Sequence, residues 1–310
     1  MYNIIEALHQ NISKEKPLVS LDDKLHSRFY LNPSSSMSYS NIDGSPIGAC
    51  IKQVWLDKKN YPVSNPITTY NEYVFEAGRL WEKWLIDQYK SMGIYLDNSV
   101  KIVDNELGIS GEIDILHKNP ENNSIEVTEC KTYNGSFSYV TSEVLGTDKE
   151  PPKPKDSYLL QCVTYLLILR KYNISKINLI YLDRSVSKIW NHKQFLIYLD
   201  GNKIYYDTYF KNKLITIEED RFTTDNILEK NQVLFELLES DYVPDPDYKL
   251  IYTLESLKED HNKGLITTTE FNKVMKGNKD VSEVCSWQCA YCKFGKNPVT
   301  GESTCLNTVN

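Results

Sequence analysis

Leu107–Tyr133, LGISGEIDILHKNPENNSIEVTECKTY, is the stretch that decides the fold. Leu107–Leu116 and Ser124–Tyr133 are both predicted strands, and the second is the clearer, because it is rich in β-branched residues and alternates with a period of two. Asn119–Asn123, NPENN, has the composition of a turn. A hairpin across this turn would place the two strands side by side.

Helices and further strands lie on both sides of this hairpin. Apolar residues at helical spacing predict a helix over Asn71–Met92. Its apolar positions are Val74, Phe75, Leu80, Trp81, Trp84 and Leu85. The other predicted strands are Ser99–Asp104, Ile177–Leu182, Gln194–Leu199 and Ile204–Phe210, and the other long helices are Ser157–Tyr172 and Thr223–Leu238. This order predicts an α/β or α+β fold with a mixed central sheet flanked by helices.

Capping patterns suggest where two of the helices begin. A helix is expected from about Ile47, with Ser45 as its cap and Pro46 in its first turn. The helix after the hairpin is expected to be capped by Asp156 or Ser157.

The composition is that of an ordinary globular protein. The 310 residues include 41% hydrophobic and 25% charged side chains, which argues against disordered and fibrous classes. A formal charge of −7 argues against a non-specific binder of polyanions, although a local groove can still attract phosphate. We divide the chain into an N-terminal helical segment (1–70), a core (71–245), and a C-terminal segment (246–310) with a small helical insertion and most of the cysteines.

No stretch of the sequence predicts a membrane span. The longest apolar run, Leu159–Leu169, contains polar residues and is shorter than the roughly 18–20 residues that a spanning helix needs. The first ten residues, MYNIIEALHQ, lack the basic start and apolar block of a signal peptide. A cytosolic protein is therefore expected.

Charged side chains interrupt the apolar face of the predicted hairpin. Glu129 and Lys131 follow Ile125 and Val127 on the same face of their strand, because side chains two apart point the same way. Asp114 lies on the neighbouring strand. Two converging carboxylates repel each other unless a cation lies between them, and Mg²⁺ prefers such oxygen ligands. The alternative is a surface hairpin with scattered charges.

Two helices carry further candidate residues. Gln161 and Tyr165 are spaced i, i+4 and share one face of the helix after the hairpin. Upstream, Gly78 precedes Glu82 by four residues inside the predicted helix. Glycine in a helix interior costs about 1 kcal/mol relative to alanine, so a close approach of another backbone or of a substrate would explain it.

Cysteines crowd the end of the chain. Cys285, Cys289, Cys292 and Cys305 lie in its last 26 residues, and Cys50 stands alone near the start. In a chain without a secretion signal, such a cluster suggests a metal before it suggests disulfides. The spacing does not separate zinc from an iron–sulfur cluster, and free or redox-active thiols are the alternative. The two remaining cysteines, Cys130 and Cys162, are expected to be small buried side chains.

The order GxxxE, GEID, ECK and QxxxY over residues 75–170 resembles the PD-(D/E)XK nuclease superfamily, specifically its RecB-like branch. The resemblance implies a restriction-endonuclease-like core in which Asp114 and Glu129 bind Mg²⁺ or Mn²⁺ and Lys131 is the catalytic lysine. It also implies that Gln161 and Tyr165 line the site and position the substrate. Glu82 occupies the usual histidine position of the family and would be a third metal ligand.

The string WxCxYCxF followed by a later cysteine resembles the C-terminal iron–sulfur staple of AddB-type and CRISPR-associated RecB-like exonucleases. The resemblance implies a [4Fe–4S] cluster on Cys50, Cys289, Cys292 and Cys305, with Cys285 as a substitute for Cys305. Such a cluster would clamp the two ends of the chain together and would be structural.

Taken together, these resemblances predict a Mg²⁺- or Mn²⁺-dependent deoxyribonuclease, an exonuclease acting on single-stranded DNA ends in the cytoplasm of a bacterial or phage-infected cell. Its expected partners are DNA and proteins of recombination, replication or defence. Lys149, Lys153 and Lys155 would follow the nucleic-acid backbone, or else form a solvated loop. The alternatives are a non-catalytic nucleic-acid-binding or adaptor protein on the same fold, and a binding module stapled by Zn²⁺.

Overall fold

The computed structural model describes residues 30–40, 44–66, 69–134, 143–185, 192–262 and 265–308. The strands are β1 (Ser38–Ser40), β2 (Pro46–Gly48), β3 (Tyr95–Asp104), β4 (Ile109–Lys118), β5 (Ile125–Tyr133), β6 (Lys176–Asp183), β7 (Lys193–Asp200), β8 (Lys203–Phe210) and β9 (Lys213–Glu219). The helices are α1 (Ile51–Lys58), α2 (Thr69–Ser91), α3 (Asp156–Leu169), α4 (Thr224–Glu239), α5 (Leu254–Asn262), α6 (Thr268–Met275), α7 (Trp287–Ala290) and α8 (Thr304–Asn307).

A seven-stranded mixed sheet, in the order β3 to β9, forms the centre of the fold. Neighbouring strands are antiparallel except β5 and β6, which run parallel with Val127 opposite Ile177. A parallel pair needs a crossover connection, and α3 lies in the chain between these two strands. The predicted mixed α/β architecture with flanking helices is confirmed.

The two faces of the sheet are covered by different helices. On β6, Leu179 and Leu182 belong to different apolar clusters, as expected for positions that point to opposite faces. Leu182 packs with Ile115 and with Leu85 and Tyr89 of α2. Leu179 belongs to the main core, which α3 and α4 share with the sheet.

The buried face of α2 differs from the apolar positions that the sequence suggests. Phe75, Leu80 and Trp84 are exposed, whereas Leu85 and Tyr89 pack on the sheet. The helix itself is where the spacing predicts it. The sequence pattern alone did not identify which of its apolar side chains are buried.

Two predicted helix starts are wrong. Pro46–Gly48 is a strand paired with Ser38–Ser40, and Gly48 has a φ of +79°, so the helix begins only at Ile51 with Cys50 in the cap position. Gly48 is needed there, because an added Cβ would lie 2.9 Å from the Met37 carbonyl oxygen.

At the second start, Lys155 holds the cap position of α3, rather than Asp156 or Ser157. The Asp156 carboxylate accepts two hydrogen bonds from Arg221 instead. Strand β9 was not predicted, and it forms the edge of the sheet beside β8.

The C-terminal segment adds its own small cores. Helices α5 and α6 lie within the weakly helical region 248–283 and pack around Tyr252, Leu257 and Ile266. Within the ranges given above, no helix has both the length and the apolar character required to cross a bilayer.

Candidate functional site

The two strands of the predicted hairpin separate at Asp114. The β4–β5 ladder runs from the Lys118–Ile125 pair to the Ile115–Thr128 pair. Beyond it, the Cys130 amide donates a hydrogen bond of 2.7 Å to Asp114 Oδ2. A side-chain carboxylate therefore takes the place of a strand carbonyl and is held at the point of divergence.

Glu129 is the most buried carboxylate of the site, with 2% of its surface exposed. Its Oε1 accepts hydrogen bonds from Lys131 Nζ at 2.7 Å and from Gln161 Nε2 at 2.8 Å. Its Oε2 is buried and has no hydrogen-bond partner among the residues that the structure describes. A buried charged oxygen without a partner is costly, and a bound cation would satisfy it.

The Asp114 carboxyl lies in an environment that disfavours its charge. Burial, and then the charge of Glu129, raises its pKa well above the usual range, while Lys131 and the Cys130 amide oppose the rise. Two carboxylates that interact this strongly repel each other when both are ionised. A divalent cation would remove this conflict, which is the fit expected of Mg²⁺ or Mn²⁺ with oxygen ligands.

Glu82 brings a third carboxyl to the site from α2. Burial raises its pKa, and the charges of Glu129 and Glu112 raise it further, whereas Lys131 and Arg79 act in the opposite direction. Glu82 therefore lies within electrostatic reach of Glu129 and Lys131 of the hairpin. Glu112 is an additional acidic neighbour that the sequence analysis did not consider.

Lys131 is held as a cation. Burial lowers the pKa of its ammonium group, but the charges of Glu129 and Asp114 outweigh that effect and raise the pKa above its usual value. The Nζ atom also lies 4.8 Å from the centre of the Tyr158 ring, within cation–π distance. This ammonium group is therefore positioned to bind an anion such as a phosphate oxygen.

One face of α3 lines the site with Tyr158, Gln161 and Tyr165, spaced i, i+3 and i+7. Besides its bond to Glu129, the Gln161 amide lies 3.4 Å from the Tyr165 hydroxyl, which donates to the Glu112 carbonyl at 3.1 Å. Sequence analysis missed Tyr158, although its position three residues before Gln161 on the same helix was a usable signal.

Gly78 of the GxxxE motif and Gly111 of the GEID motif have different structural roles. A Cβ at Gly111 would lie 2.6 Å from the Tyr165 ring, so the tyrosine fits only against a glycine. A Cβ at Gly78 would meet only Thr132 Oγ1, at an ordinary 3.5 Å. Close approach of another protein backbone does not explain Gly78, and approach of a substrate remains a prediction.

The loop that carries Lys149, Lys153 and Lys155 reaches the site at its C-terminal end. Lys155 precedes α3, donates its amide to the Tyr181 hydroxyl at 3.0 Å, and has its Nζ 6.0 Å from the Tyr158 ring. Lys153 is partly buried and Lys149 is exposed. The structure therefore brings the ammonium groups of Lys155 and Lys131 near the same tyrosine ring, and it places Lys149 in the exposed part of the loop.

A second candidate site lies where the two ends of the described chain meet. Cys50, Cys289, Cys292 and Cys305 line one pocket, together with apolar side chains such as Phe294. All are free thiols.

The backbone holds these thiols in place. The Cys292 amide donates to the Cys289 carbonyl, and the Cys305 amide donates to the Phe294 carbonyl. Gly295 closes the turn, because a Cβ there would lie 2.3 Å from the Cys289 carbonyl oxygen. Sequence analysis did not single out Gly295.

The thiols influence one another. Burial raises the pKa of Cys289. The charges of four nearby cysteines raise it further, namely Cys50, Cys285, Cys292 and Cys305. Burial raises the pKa of Cys305 to about 11, and the charge of Lys52 offsets part of that rise. Cys285 is near the group but does not line the pocket.

The donors at both sites fit the groups that the resemblances imply. Four thiols around one pocket, two buried and two partly buried, suit zinc or an iron–sulfur cluster, and converging carboxylates suit a hard divalent cation. In the described part of the chain, no group of three or more histidine, cysteine or acidic side chains is arranged closely enough to hold a metal ion. The side chains at each site would therefore move closer together when a metal binds.

Comparison of the sequence with protein-family models and with curated proteins gives no match in either case. The functional interpretation therefore depends on the geometry of these two sites and on the motifs that contain them.

Proposed function

We propose that the protein is a Mg²⁺- or Mn²⁺-dependent nuclease that hydrolyses phosphodiester bonds of DNA, with a PD-(D/E)XK core of the RecB-like type. The observation that supports this proposal most strongly is the buried Oε2 of Glu129, which has no hydrogen-bond partner in the described ranges and interacts electrostatically with the Asp114 carboxyl. A folded protein seldom leaves such an atom unsatisfied unless a ligand completes it. The exposed end of a single strand is the proposed substrate.

In this proposal Asp114, Glu129 and Glu82 hold the metal. When bound, the ion would lower the pKa of a coordinated water and offset charge on the phosphate. Lys131 contributes its ammonium group to a phosphate oxygen, where it stabilises negative charge that develops during attack. Gln161 fixes the orientation of Glu129 through its hydrogen bond to Oε1.

Tyr165 supports the same arrangement from α3. Burial and the charge of Glu129 raise the pKa of its hydroxyl, so it stays a neutral hydrogen-bond donor. Its bond to the Glu112 carbonyl links α3 to β4. Lys155 and, further out, Lys153 and Lys149 would follow the nucleic-acid backbone, which makes binding dependent on salt.

We further propose that Cys50, Cys289, Cys292 and Cys305 hold a structural [4Fe–4S] cluster, with Zn²⁺ as the alternative. The pocket brings the N-terminal Cys50 into the same group as three cysteines from the last part of the chain. A metal bound there would add its binding free energy to the stability of the fold.

A non-catalytic nucleic-acid-binding protein on the same fold is the second candidate. It would keep the fold and the cysteine site but would not turn over a substrate. The intact set of Asp114, Glu129 and Lys131 favours the nuclease.

The deciding experiment is digestion of end-labelled single- and double-stranded DNA by anaerobically purified protein with Mg²⁺ or Mn²⁺. Asp114→Ala and Lys131→Ala are expected to abolish cleavage, while Asp87→Ala, an exposed carboxylate elsewhere on α2, should leave it unchanged. Cleavage retained by both site variants would exclude this site. Absence of cleavage by every sample, combined with retained DNA binding, would favour the second candidate.

A further inference from the structure

Lys52 is a buried cation beside the cysteine pocket. It lies in the first turn of α1 with 5% of its surface exposed, and no other lysine or arginine in the described ranges is buried to this degree. Its ammonium group donates one hydrogen bond, of 2.8 Å, to the carbonyl of Thr308. Among the described residues, no carboxylate lies within ion-pair distance of it. A buried ammonium group without a counter-ion is unfavourable, because burial removes the water that would otherwise solvate its charge.

The thiols are the groups that can supply the missing negative charge. Cys50 precedes Lys52 by two residues, at the cap of α1. Helix α8, which carries Cys305, packs against α1, and the charge of Lys52 acts directly on the Cys305 sulfur. Protonated thiols are neutral and would leave the ammonium uncompensated. Thiolates bound to a metal are anionic, and four of them outweigh the positive charge of one zinc ion or of the iron–sulfur core.

The other cation close to these cysteines is already paired. Lys293 lies on the chain next to Cys292, but its ammonium contacts the Asp57 carboxylate and is about one-third exposed. Solvent and its own partner therefore satisfy Lys293. Lys52 is almost fully buried and has no carboxylate partner in the described ranges, and this difference identifies it as the charge that depends on the state of the thiols.

We infer that Lys52 is the buried counter-charge of an anionic metal centre held by Cys50, Cys289, Cys292 and Cys305. It acts on the centre through its charge, and through the Thr308 carbonyl it holds the end of α8 over the pocket. The inference depends on the cysteine metal site proposed above and is independent of nuclease activity.

The test compares the full-length wild-type protein with three variants, all purified without oxygen. Lys52→Met removes the charge and keeps the length of the side chain, whereas Lys52→Arg keeps the charge. Lys58→Met is the matched control, because Lys58 lies on the same helix and also donates to a backbone carbonyl at 2.8 Å, that of Tyr30. Iron, sulfide and zinc are measured in each protein, and metal loss to an excess of chelator is then followed by absorbance.

Lys52→Met is expected to lose its metal at least about tenfold faster than wild type, the usual effect of removing a partner that supports the ligands. Lys52→Arg and Lys58→Met should stay within about threefold of wild type, well short of the roughly tenfold loss expected for a removed supporting partner. If the metal is an iron–sulfur cluster, its reduction potential should also move to a more negative value in Lys52→Met, because the lost cation stabilised the more reduced and more anionic state.

The outcomes separate the two proposals. Wild-type protein that holds no iron or zinc after anaerobic purification and reconstitution would overturn the metal site, and the inference with it. Wild-type protein that holds metal while Lys52→Met retains it equally well would overturn only the role of Lys52. Should Lys52→Met fail to fold, Lys52→Arg decides, since rapid metal loss from that charged variant would contradict a role for the charge.

Discussion

Gln161 and Glu129, 32 positions apart in the sequence, are joined by a hydrogen bond of 2.8 Å between two side chains that are each 2% exposed. Lys131 donates to the same carboxylate oxygen. Both donors therefore occupy Oε1 of Glu129, and no described residue forms a hydrogen bond with Oε2. The two oxygens therefore differ in role. The hydrogen bonds to Oε1 orient the carboxylate, and Oε2 is left for a ligand.

Gln161→Leu should separate these tasks. The variant frees the Glu129 carboxylate to rotate, so we expect activity to fall by about 10–100-fold and the Mn²⁺ concentration for half-maximal cleavage to rise, as for lost partners of metal ligands in general. Thr164→Val is the control, because Thr164 is also buried on α3 but hydrogen-bonds the Leu160 carbonyl. An unchanged metal requirement in Gln161→Leu would contradict the orienting role.

The strands of the sheet were largely predictable, since alternation depends on local sequence. Strand β5 was found within one residue because Ile125–Tyr133 alternates so clearly. The helix start predicted at Ile47 was wrong, because Pro46 also suits a strand and its pairing partner Ser38–Ser40 is set by tertiary contacts. Strand β9 was missed, and its neighbour β8 is the only strand it pairs with in the described sheet.

Most residues of the candidate site were predictable from the sequence, but Tyr158, Glu112 and the contacts between the residues were not. Spacing puts Glu129 and Lys131 on one face of a strand, and Gln161 and Tyr165 on one face of a helix. It does not say which face of the helix packs on which face of the sheet. The contact of Tyr158 with Lys131 depends on that packing and therefore appears only in the structure.

Asp114→Asn should stabilise the protein in the absence of Mg²⁺ and Mn²⁺. The amide keeps an oxygen for the Cys130 amide and removes a charge that burial and Glu129 disfavour. We expect the free energy of unfolding at pH 7 to rise by about 1 kcal/mol while cleavage is lost, a typical exchange of stability for function. Urea denaturation of both proteins measures the change, with the exposed Asp87→Asn as the control. A less stable Asp114→Asn would mean that the carboxylates do not repel each other.

Gly111→Ala and Gly78→Ala should have opposite effects. A Cβ at position 111 would collide with the Tyr165 ring, so overpacking should cost about 1–3 kcal/mol. A Cβ at position 78 meets nothing closer than 3.5 Å, and alanine favours the helix by up to about 1 kcal/mol. Thermal denaturation distinguishes the two. Lower activity in a more stable Gly78→Ala would indicate that substrate approaches α2 at this glycine, and unchanged activity would exclude that explanation.

Tyr158 should act through its ring and not through its hydroxyl. The ring centre lies 4.8 Å from Lys131 Nζ, a geometry that phenylalanine preserves and leucine does not. We expect Tyr158→Phe to keep most activity and Tyr158→Leu to lower kcat about fivefold or more, consistent with a cation–π contribution of about 1 kcal/mol. Steady-state cleavage of an end-labelled strand gives kcat and KM separately. Equal losses in the two variants would assign the effect to the hydroxyl.

A triad of charges away from the site should determine the acid stability of the fold. Arg221 donates to both oxygens of Asp156 at the start of α3, at 2.8 and 3.0 Å, and to both oxygens of Glu219 at the end of β9, at 2.7 and 2.8 Å. Burial raises the pKa of Glu219, but the hydrogen bonds and charge of Arg221 outweigh burial, and the net pKa is lowered. A carboxyl with a lowered pKa stabilises the folded state above its unfolded pKa of about 4, and this contribution disappears as the pH falls through the folded value.

Arg221→Met should therefore destabilise the protein by about 2 kcal/mol at pH 7, less than the roughly 3–5 kcal/mol for a fully buried pair, because the guanidinium is one-third exposed. The difference from wild type should persist at pH 5 and shrink at pH 3, where the unfolded chain binds a proton at Glu219 and the lowered pKa of the folded protein no longer gives its full stabilisation. Lys203→Met, which breaks the exposed pair with Glu218 next to Glu219 on β9, should leave the stability nearly unchanged at every pH. Denaturant unfolding at the three pH values measures these differences. A gap between Arg221→Met and wild type that does not narrow at pH 3 would show that packing of the arginine side chain, and not its charge, holds β9 to α3.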